Sequence, residues 1–278
     1  MTTVLDNAGI PDSRIEGDLL CMQAMCATRE ELYISLDQPL EPSVADCLAL
    51  LLDRRLSREP AAYILGYKEF YGFVLSVSPE VLIPRPETEH VVESVLQVLS
   101  DKTTSSRPVV LDIGTGSGAI AIAVASKSPQ SVVIASDISS AAIKIAYVNK
   151  SKYPKLHNIE FVIGDLLTWF QGPVDVIAAN LPYVPTSVVQ TLDPEIRLYE
   201  PLGALDGGKD GLDFIRQIVE QAAGLLTSTG SLILELDPSQ VHPLCVFIAE
   251  AYRGVKLQIV KDLHGLDRVL VVTGLAVH

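Results

Sequence analysis

The segment VVLDIGTGSGAIAIAVASK, residues 109–127, contains the pattern that decides the fold of this chain. It begins with a short run of Val and Leu, which is typical of a buried strand, and ends with a run of Ala and Ile, which is typical of a buried helix. Three glycines, Gly114, Gly116 and Gly118, separate the two runs. This order predicts the first unit of a parallel sheet that is covered by helices on both faces.

Apolar strands and helices continue to alternate after this segment. The strand candidates are VVIASDI, IEFVIGD, VDVIAAN and GSLILEL, and helical patterns lie between them. The last two apolar runs, VKLQIV and RVLVVTG, follow each other closely, which favours an antiparallel hairpin at a sheet edge. We therefore expect a doubly wound α/β fold with a seven-stranded, mostly parallel sheet and an antiparallel edge hairpin.

The first 68 residues carry a different pattern, which predicts a small helical domain. Thr28 and Glu31 have the spacing of a capping box at a helix start. Ser43 is a candidate N-cap for the next helix, because an apolar helical pattern follows it.

A connecting β-hairpin is expected at residues 69–86, where aromatic and β-branched residues flank Ser78-Pro79-Glu80 as a turn between two short strands. The main domain then occupies residues 87–278. It begins with an amphipathic helix, and a polar loop at residues 101–108 leads to the sheet.

Composition limits the classes of function. The formal net charge of −13 disfavours direct binding of nucleic acid, which normally depends on Lys and Arg. The four cysteines form no C-x-x-C pair, so we expect reduced thiols and no metal site. The N-terminus lacks the basic and apolar regions of a signal peptide, and no apolar run approaches the roughly 20 residues of a membrane span. We expect a cytoplasmic protein without membrane contact.

The glycine loop, residues 114–118, and two acids predict a ligand site at the carboxyl ends of the strands. Glycines allow a ligand to approach backbone N–H groups at a helix N-terminus. Asp137 and Asp165 end the next two strand candidates, and in an open α/β sheet such ends face one crevice. Asp137 can accept hydroxyl protons from a ribose, which fits NAD and S-adenosylmethionine equally.

The glycine loop also matches G-x-G-x-x-A, with Ala119 in the last position, so a nicotinamide-dependent enzyme is an alternative. Asp112 lies two residues before the first glycine of the loop. Its negative charge attracts the ammonium group of S-adenosylmethionine and repels a pyrophosphate, which favours a methyl donor.

The segment VDVIAANLPYVP, residues 174–185, ends a strand with Asn180, Leu181, Pro182 and Tyr183, which we call the amine clamp. The proline keeps the preceding residue extended and turns backbone carbonyls outward. The Asn carbonyl and a main-chain carbonyl can then accept both hydrogens of a planar NH2 group and aim its lone pair at a methyl group. The Tyr ring can face the substrate or a cationic sulfonium. Asn180, Pro182 and Tyr183 are the predicted catalytic residues.

Taken together, these segments resemble the HemK/PrmC family of glutamine methyltransferases, which modify the Gly-Gly-Gln motif of peptide chain release factors. Residues 59–93, 112–125, 180–185 and 195–218 carry the resemblance, which covers most of the chain. The most specific part is IPRPETE, residues 83–89. The resemblance implies a Rossmann-like methyltransferase domain and a helical N-terminal domain that docks release factors. It also implies S-adenosylmethionine as donor and S-adenosylhomocysteine as product. We expect a monomer.

The resemblance also implies roles for individual residues. Those expected at the donor are Asp112, Gly114, Thr115, Gly116, Ser117, Gly118, Asp137, Ile138, Asp165, Leu166 and Asn180. Those expected at the glutamine are Arg85, Asn180, Leu181, Pro182 and Tyr183. A purely structural ion pair is an equal alternative for the Arg, and residues 204–211 are expected to form a loop bordering the site.

Two positions depart from the family pattern. Leu181 stands where the family usually has the first Pro of Asn-Pro-Pro-Tyr, and Asp237 stands where it often has Gly in Glu-x-Gly-x-x-Gln. We expect activity to survive the first change, and we expect the second to affect loop geometry and not the chemistry. Two other classes of function stay open: an N-methyltransferase of exocyclic amines in DNA or RNA, and a non-catalytic adaptor that retains the donor fold.

Overall fold

The structure, a computed structural model, describes residues 1–101 and 107–275. Contacts divide the chain into two compact units. The helical unit comprises Met1–Tyr67 and Asp193–Tyr199, and the sheet unit comprises Lys68–Leu192 and the described residues from Glu200 onward. Nothing in the sequence pattern indicates that a segment near residue 195 belongs with the N-terminal helices. The polar loop expected at 101–108 falls largely outside the described residues.

Short helices form the helical unit. They are α1 (Thr2–Asn7), α2 (Ser13–Met25), α3 (Arg29–Ile34), α4 (Pro42–Leu56), α5 (Ala61–Leu65) and α10 (Pro194–Tyr199). Leu5, Ile10, Leu20 and Ile64 form a buried apolar cluster between them.

The sequence locates one of two helix starts in this unit correctly. The capping box of Thr28 and Glu31 is confirmed at the start of α3. The N-cap predicted at Ser43 is wrong, because α4 begins at Pro42 and Glu41 is its N-cap. Proline suits the first helical position, since its fixed φ matches the helix and its missing N–H would be unpaired there.

A buried ion-pair network ties α10 into the helical unit. The Arg55 side chain is 2% exposed, and its guanidinium contacts Glu16 at 2.6 Å and Glu195 at 3.0 Å. The Tyr199 hydroxyl donates to the Ser57 carbonyl at 2.6 Å. Because a buried charge needs partners of opposite sign, the Glu from α10 completes the environment of this arginine.

The sheet unit contains a hairpin and a larger sheet. The hairpin consists of β1 (Tyr67–Phe70) and β2 (Phe73–Ser76). The larger sheet consists of β3 (Val109–Ile113), β4 (Val132–Asp137), β5 (Ile159–Ile163), β6 (Val174–Ala179), β7 (Leu226–Glu235), β8 (Lys256–Lys261) and β9 (Asp267–Thr273).

The hairpin is present, but the turn predicted at Ser78-Pro79-Glu80 is wrong. The chain reverses at Tyr71 and Gly72, which have φ of +49° and +80°. Two successive positive φ values suit the twist of a tight hairpin, so this pair closes β1 and β2.

The larger sheet confirms the predicted fold. Its strand order is β5-β4-β3-β6-β7-β9-β8. Strands β3 to β7 pair in parallel, whereas β9 pairs antiparallel with both β7 and β8. The adjacent strands β3 and β6 therefore end side by side, which brings the glycine loop next to the amine clamp.

Helices cover both faces of this sheet. They are α6 (Glu89–Asp101), α7 (Ala119–Lys127), α8 (Ser140–Ser151), α9 (Thr186–Val189), α11 (Asp213–Ala223) and α12 (Pro238–Ala251), with 3-10 turns at Pro86–Thr88 and Leu202–Ala204. One apolar cluster includes α6, α7 and α8, and a second includes α11 and α12. Among the described residues no helix has the length and apolar character needed to cross a membrane.

Candidate active site

A cavity of about 530 Å³ lies in the sheet unit, beyond the carboxyl ends of β3, β4, β5 and β6. This volume is in the range of small-molecule sites. The predicted site residues that line it are Gly114, Thr115, Gly116, Ser117, Asp137, Ile138, Asp165, Leu166, Asn180, Leu181 and Pro182. The predicted residues outside this lining are Arg85, Asp112, Gly118 and Tyr183.

The glycine loop depends on positive φ and on the absence of side chains. Gly114, Gly116 and Gly118 have φ of +72°, +54° and +83°. A Cβ on Gly114 would lie 3.0 Å from Leu181 Cδ2, so this glycine allows the two loops to touch. The Gly116 N–H donates to Asp137 Oδ2 at 2.9 Å, which fixes the loop against β4.

Asp137 combines a structural role with a partly buried position on the cavity wall. Its Oδ1 accepts from the Ser139 N–H at 2.9 Å, and its Oδ2 accepts from the glycine loop. Burial raises the pKa of this carboxyl, and the two backbone hydrogen bonds oppose the shift. Each carboxylate oxygen keeps further lone-pair capacity, so Asp137 can still accept hydroxyl protons from a ligand. The neighbouring Ile138 is 71% exposed and offers an apolar wall.

Asp112 supports the glycine loop from behind and does not line the cavity. Its Oδ2 accepts from Thr115 Oγ1 at 2.6 Å and from the Ala121 N–H at 3.1 Å, and its Oδ1 has no hydrogen-bond partner among the described residues. Burial raises the pKa of Asp112 to about 7, which the hydrogen bonds oppose and the Asp137 charge increases. The acid therefore shapes the loop and places negative charge beneath it.

The amine clamp begins with Asn180, directly after β6. Its Nδ2 donates to Thr88 Oγ1 at 3.1 Å. Val184, the residue after the clamp, pairs with residues 205–207. Its N–H donates to the Leu205 carbonyl at 2.9 Å, and its carbonyl accepts from the Gly207 N–H at 2.8 Å. A Cβ on Gly207 would lie only 2.5 Å from the Pro182 carbonyl oxygen. This glycine therefore permits the loop to pass close to the backbone of the clamp.

Gln240 holds the clamp from α12. Its Nε2 donates to the carbonyls of Tyr183 at 2.7 Å and Asp210 at 3.1 Å. Its Oε1 accepts from the N–H of Asp237, which is the N-cap of α12 and forms a capping box with it. The Asp that replaces the usual Gly thus has a definite structural role as a helix cap.

The ring of Tyr183 is not among the groups that line the cavity, and its expected contact with a substrate or a sulfonium stays a prediction. It packs against the apolar cluster of α11 and α12, and its hydroxyl donates to Glu235 Oε1 at 3.4 Å. A buried phenol needs such a hydrogen-bond partner. Burial and the charge of this Glu raise the pKa of Tyr183, so the hydroxyl stays protonated at neutral pH.

Glu235 is the last residue of β7 and is 1% exposed. Burial raises its pKa to about 7. The nearby Thr88 hydroxyl, the charge of Arg268 and the bond from Tyr183 oppose this shift, whereas the charge of Glu87 adds to it. Its Oε2 has no partner in the hydrogen-bond geometry of the described residues. One buried carboxyl group therefore bonds to the Tyr183 end of the amine clamp and lies near Thr88, which bonds to Asn180 at the other end.

Arg85 forms a structural ion pair, which the sequence analysis gave as the alternative to a role in glutamine binding. Its Nη2 contacts Glu200 Oε1, and Glu200 is buried and also accepts from the Ile83 N–H at 3.3 Å. Burial raises the pKa of Glu200, and the charge of the Arg opposes this. The pair fixes the backbone of the segment at residues 83–89.

Several lining residues are not predicted from the sequence. They include Val81, Leu82, Pro84, Thr88, Pro201 and Phe214. The sequence does indicate the IPRPETE segment as a whole. Within this segment, the polar Thr88 directly before an apolar helix is a signal that could have identified this residue. Within the described ranges, no group of three or more His, Cys, Asp or Glu side chains is arranged to hold a metal ion.

Comparison with known proteins agrees with this geometry. Residues 1–66 match the family model of the PrmC N-terminal domain, and residues 91–192 match that of the methyltransferase small domain. A "Release factor glutamine methyltransferase" of Geobacter sulfurreducens is 37% identical, over 96% of this chain and 91% of its own. The "MTRF1L release factor glutamine methyltransferase" of Homo sapiens is 39% identical, over 87% of this chain and 75% of its own.

Solved structures support the fold alone, since their sequences are distant. The "hMettl16 catalytic domain in complex with MAT2A 3'UTR hairpin 6" has a TM-score of 0.58 at 16% identity, and covers 77% of this chain and 81% of its own. A "Methyltransferase from Pyrococcus furiosus" has a TM-score of 0.52 at 19% identity, and covers 82% of this chain and 96% of its own. The resemblance stated from the sequence is thus confirmed by full-length relatives, and the chain belongs to the family of release factor glutamine methyltransferases.

Proposed function

We propose that this enzyme transfers a methyl group from S-adenosylmethionine to the side-chain amide nitrogen, N5, of the glutamine in the Gly-Gly-Gln motif of peptide chain release factors. The names of its relatives support the choice of substrate. The observation that carries the proposed chemistry is the setting of Asn180, whose Nδ2 is engaged by Thr88 while the residue lines the cavity beside Pro182.

The residues present fit S-adenosylmethionine. Gly114 and Gly116 leave room for a ligand against the backbone, and Asp137 offers acceptors for ribose hydroxyls. Ile138 and Leu166 form apolar walls suited to an adenine. When bound, the donor supplies an electrophilic methyl group on a positively charged sulfur.

The clamp then has to hold the glutamine amide. An amide nitrogen is a poor nucleophile because its lone pair is delocalised into the carbonyl group. Asn180 Oδ1 and the Pro182 carbonyl can accept one N–H each, which orients the nitrogen and holds its lone pair toward the donor side of the cavity. Such alignment stabilises the transition state more than the ground state, and loss of one oriented group typically slows a reaction by about 100-fold to 1,000-fold.

The negative charge of the chain favours a protein substrate over nucleic acid. Docking of the release factor by the helical unit, a monomeric state and a cytoplasmic location stay predictions.

The direct test is incubation of the purified protein with S-adenosylmethionine and a release factor, followed by mass spectrometry of the Gly-Gly-Gln peptide. One added methyl group on the glutamine is expected. A release factor whose motif reads Gly-Gly-Ala is the matched control and should stay unmodified. An unmodified glutamine under saturating donor, or methylation of DNA or RNA instead, would contradict the proposal.

A further inference from the structure

We propose that Thr88 and Glu235 are positioning residues that fix the rotation of the Asn180 carboxamide, so that Oδ1 and not Nδ2 faces the cavity. The inference rests on the proposed function, because it concerns the acceptor that is offered to the glutamine amide. Neither residue is among the sequence-predicted site residues.

The rotation of a carboxamide needs a cause. Its oxygen and its NH2 group are similar in size, so packing alone distinguishes them poorly, whereas hydrogen-bond partners distinguish them well. If the NH2 group of Asn180 faced the cavity, it would meet the NH2 group of the glutamine, donor against donor. The clamp therefore works in only one of the two rotations.

A directional chain of hydrogen bonds selects that rotation. An ionised carboxylate only accepts hydrogen bonds, and a threonine hydroxyl has one proton to donate. Thr88 is 4% exposed, and its hydroxyl lies near the Glu235 carboxylate, so within the proposal its proton points toward that carboxylate. Its Oγ1 is then left as an acceptor, and Asn180 Nδ2 donates to it at 3.1 Å. The remaining end of the carboxamide is an acceptor.

The same carboxylate also holds the far end of the clamp. The Tyr183 hydroxyl donates to Glu235 Oε1 at 3.4 Å. Strand β7, which carries this Glu, pairs in parallel with β6, and Leu234 lies opposite Ala179. The carboxylate is thus anchored next to the strand end from which the clamp begins.

Three charged or titratable side chains lie around the Glu235 carboxylate. Arg268 faces it from β9 and contacts Asp262 at 3.3 Å, Glu87 faces it from the turn before α6, and Tyr183 faces it from the clamp. Substitution of Glu235 therefore distinguishes its own titration from that of these neighbours.

The first test removes the hydroxyl and keeps the shape of the side chain. Thr88→Val should lower kcat for release factor methylation by about 10-fold to 100-fold, with KM for the release factor and Kd for the donor nearly unchanged. Thr88→Ser should restore most of kcat. Thr227→Val removes a buried hydroxyl near the start of the same strand β7 and is the matched control. A Thr88→Val enzyme with unchanged kcat, or a Thr88→Ser enzyme that is equally slow, would overturn the inference.

The second test removes the fixed direction of the hydrogen-bond chain from Asn180 through Thr88 to Glu235. In Glu235→Gln the new NH2 group can donate to Thr88, which allows the chain to point either way. The wild-type kcat should fall as the pH drops below about 7, since protonation also makes Glu235 a donor. The Glu235→Gln variant should be slow and should lack this pH dependence. A variant that keeps the wild-type pH profile would contradict the role.

A third measurement needs no substrate and separates the inference from the proposed function. The side-chain NH2 resonances of Asn180 can be assigned in ¹⁵N spectra by their loss in Asn180→Asp. They should shift in Thr88→Val and Glu235→Gln, and stay in place in Thr227→Val. If they shift as expected while the wild-type enzyme leaves release factors unmodified, the proposed function fails and the rotation mechanism stands. Unchanged resonances would overturn the inference alone.

Discussion

The glycine loop and the amine clamp follow neighbouring strands, β3 and β6, yet they are held in place by different means. The loop is fixed by partners close in sequence, since its bonds to Asp112 and Asp137 span 3 and 21 residues. The clamp is fixed by partners far away, since its bonds to Thr88, Glu235 and Gln240 span 92, 52 and 57 residues. The proposed donor loop is thus held mainly by local contacts, whereas the proposed amide clamp depends on contacts of the assembled fold.

The largest expected effect concerns the clamp itself. Asn180→Ala removes one of the two proposed amide acceptors, so kcat should fall by at least about 100-fold. The donor Kd, measured by calorimetry, should change only modestly, because the glycine loop and Asp137 stay intact. Asn7→Ala, at an exposed position of the helical unit, should have no effect on either quantity. Unchanged turnover in Asn180→Ala would contradict a separate role of the clamp in methyl transfer.

A smaller effect is expected when a new side-chain atom at position 207 crowds the backbone of the clamp. In Gly207→Ala the new Cβ would approach the Pro182 carbonyl to 2.5 Å, so the backbone of the clamp has to shift. We expect kcat to fall about tenfold or more while the donor Kd is retained. Gly224→Ala is the control, because the nearest atom to its Cβ lies at 3.9 Å. Loss of donor affinity in Gly207→Ala would mean that the two loops are not separable.

The converse change concerns the glycine loop. Gly114→Ala forces an Ala into φ of +72° and brings its Cβ to 3.0 Å from Leu181. A left-handed Ala costs about 1 to 2 kcal/mol, and a loop that relaxes by this amount should weaken donor binding about tenfold. We expect kcat at saturating donor to change less than Kd. Gly254→Ala has the same backbone problem, with φ of +80° and open space, and should leave the donor Kd unchanged. An equal loss of donor affinity in Gly114→Ala and Gly254→Ala would contradict an effect that is specific to the glycine loop.

The smallest expected effect is on stability. The pKa of Asp112 is raised from 3.8 to about 7, so the folded state binds this proton more tightly than the unfolded state. The corresponding stability is fully present below about pH 4 and is lost as the pH rises through about 7. Glu235, with a pKa raised to about 7, acts in the same direction.

In Asp112→Asn the melting temperature should therefore decrease less between pH 5 and pH 8 than in the wild type. The difference should be about 2 to 4 °C for each kcal/mol of unfolding free energy that the titration of Asp112 contributes. Asp46→Asn, at an exposed position of α4, is the control and should reproduce the wild-type curve. If the Asp112→Asn curve follows that of the wild type, the buried acid is not a source of the pH dependence.

The sequence predicts the sheet, its edge hairpin and the lining role of the glycine loop, because each depends on a local pattern. It places the hairpin turn wrongly, since Ser78-Pro79-Glu80 has the residues of a turn while the chain reverses at Tyr71, a residue type that rarely adopts φ of +49°. Thr88 and the hydrogen bonds of Glu235 and Gln240 to the clamp escape prediction for another reason. They join segments more than 50 residues apart, and no single-sequence pattern records which distant side chains meet.

The return of residues 193–199 to the helical unit has a consequence for modularity. Glu195 neutralises the buried Arg55, so a fragment cut after residue 67 would keep the guanidinium and lose one of its two carboxylates. The N-terminal unit is therefore not a detachable module. Any recombination that exchanges this unit between relatives has to transfer two separate stretches of gene, and the second lies inside the coding region of the methyltransferase domain.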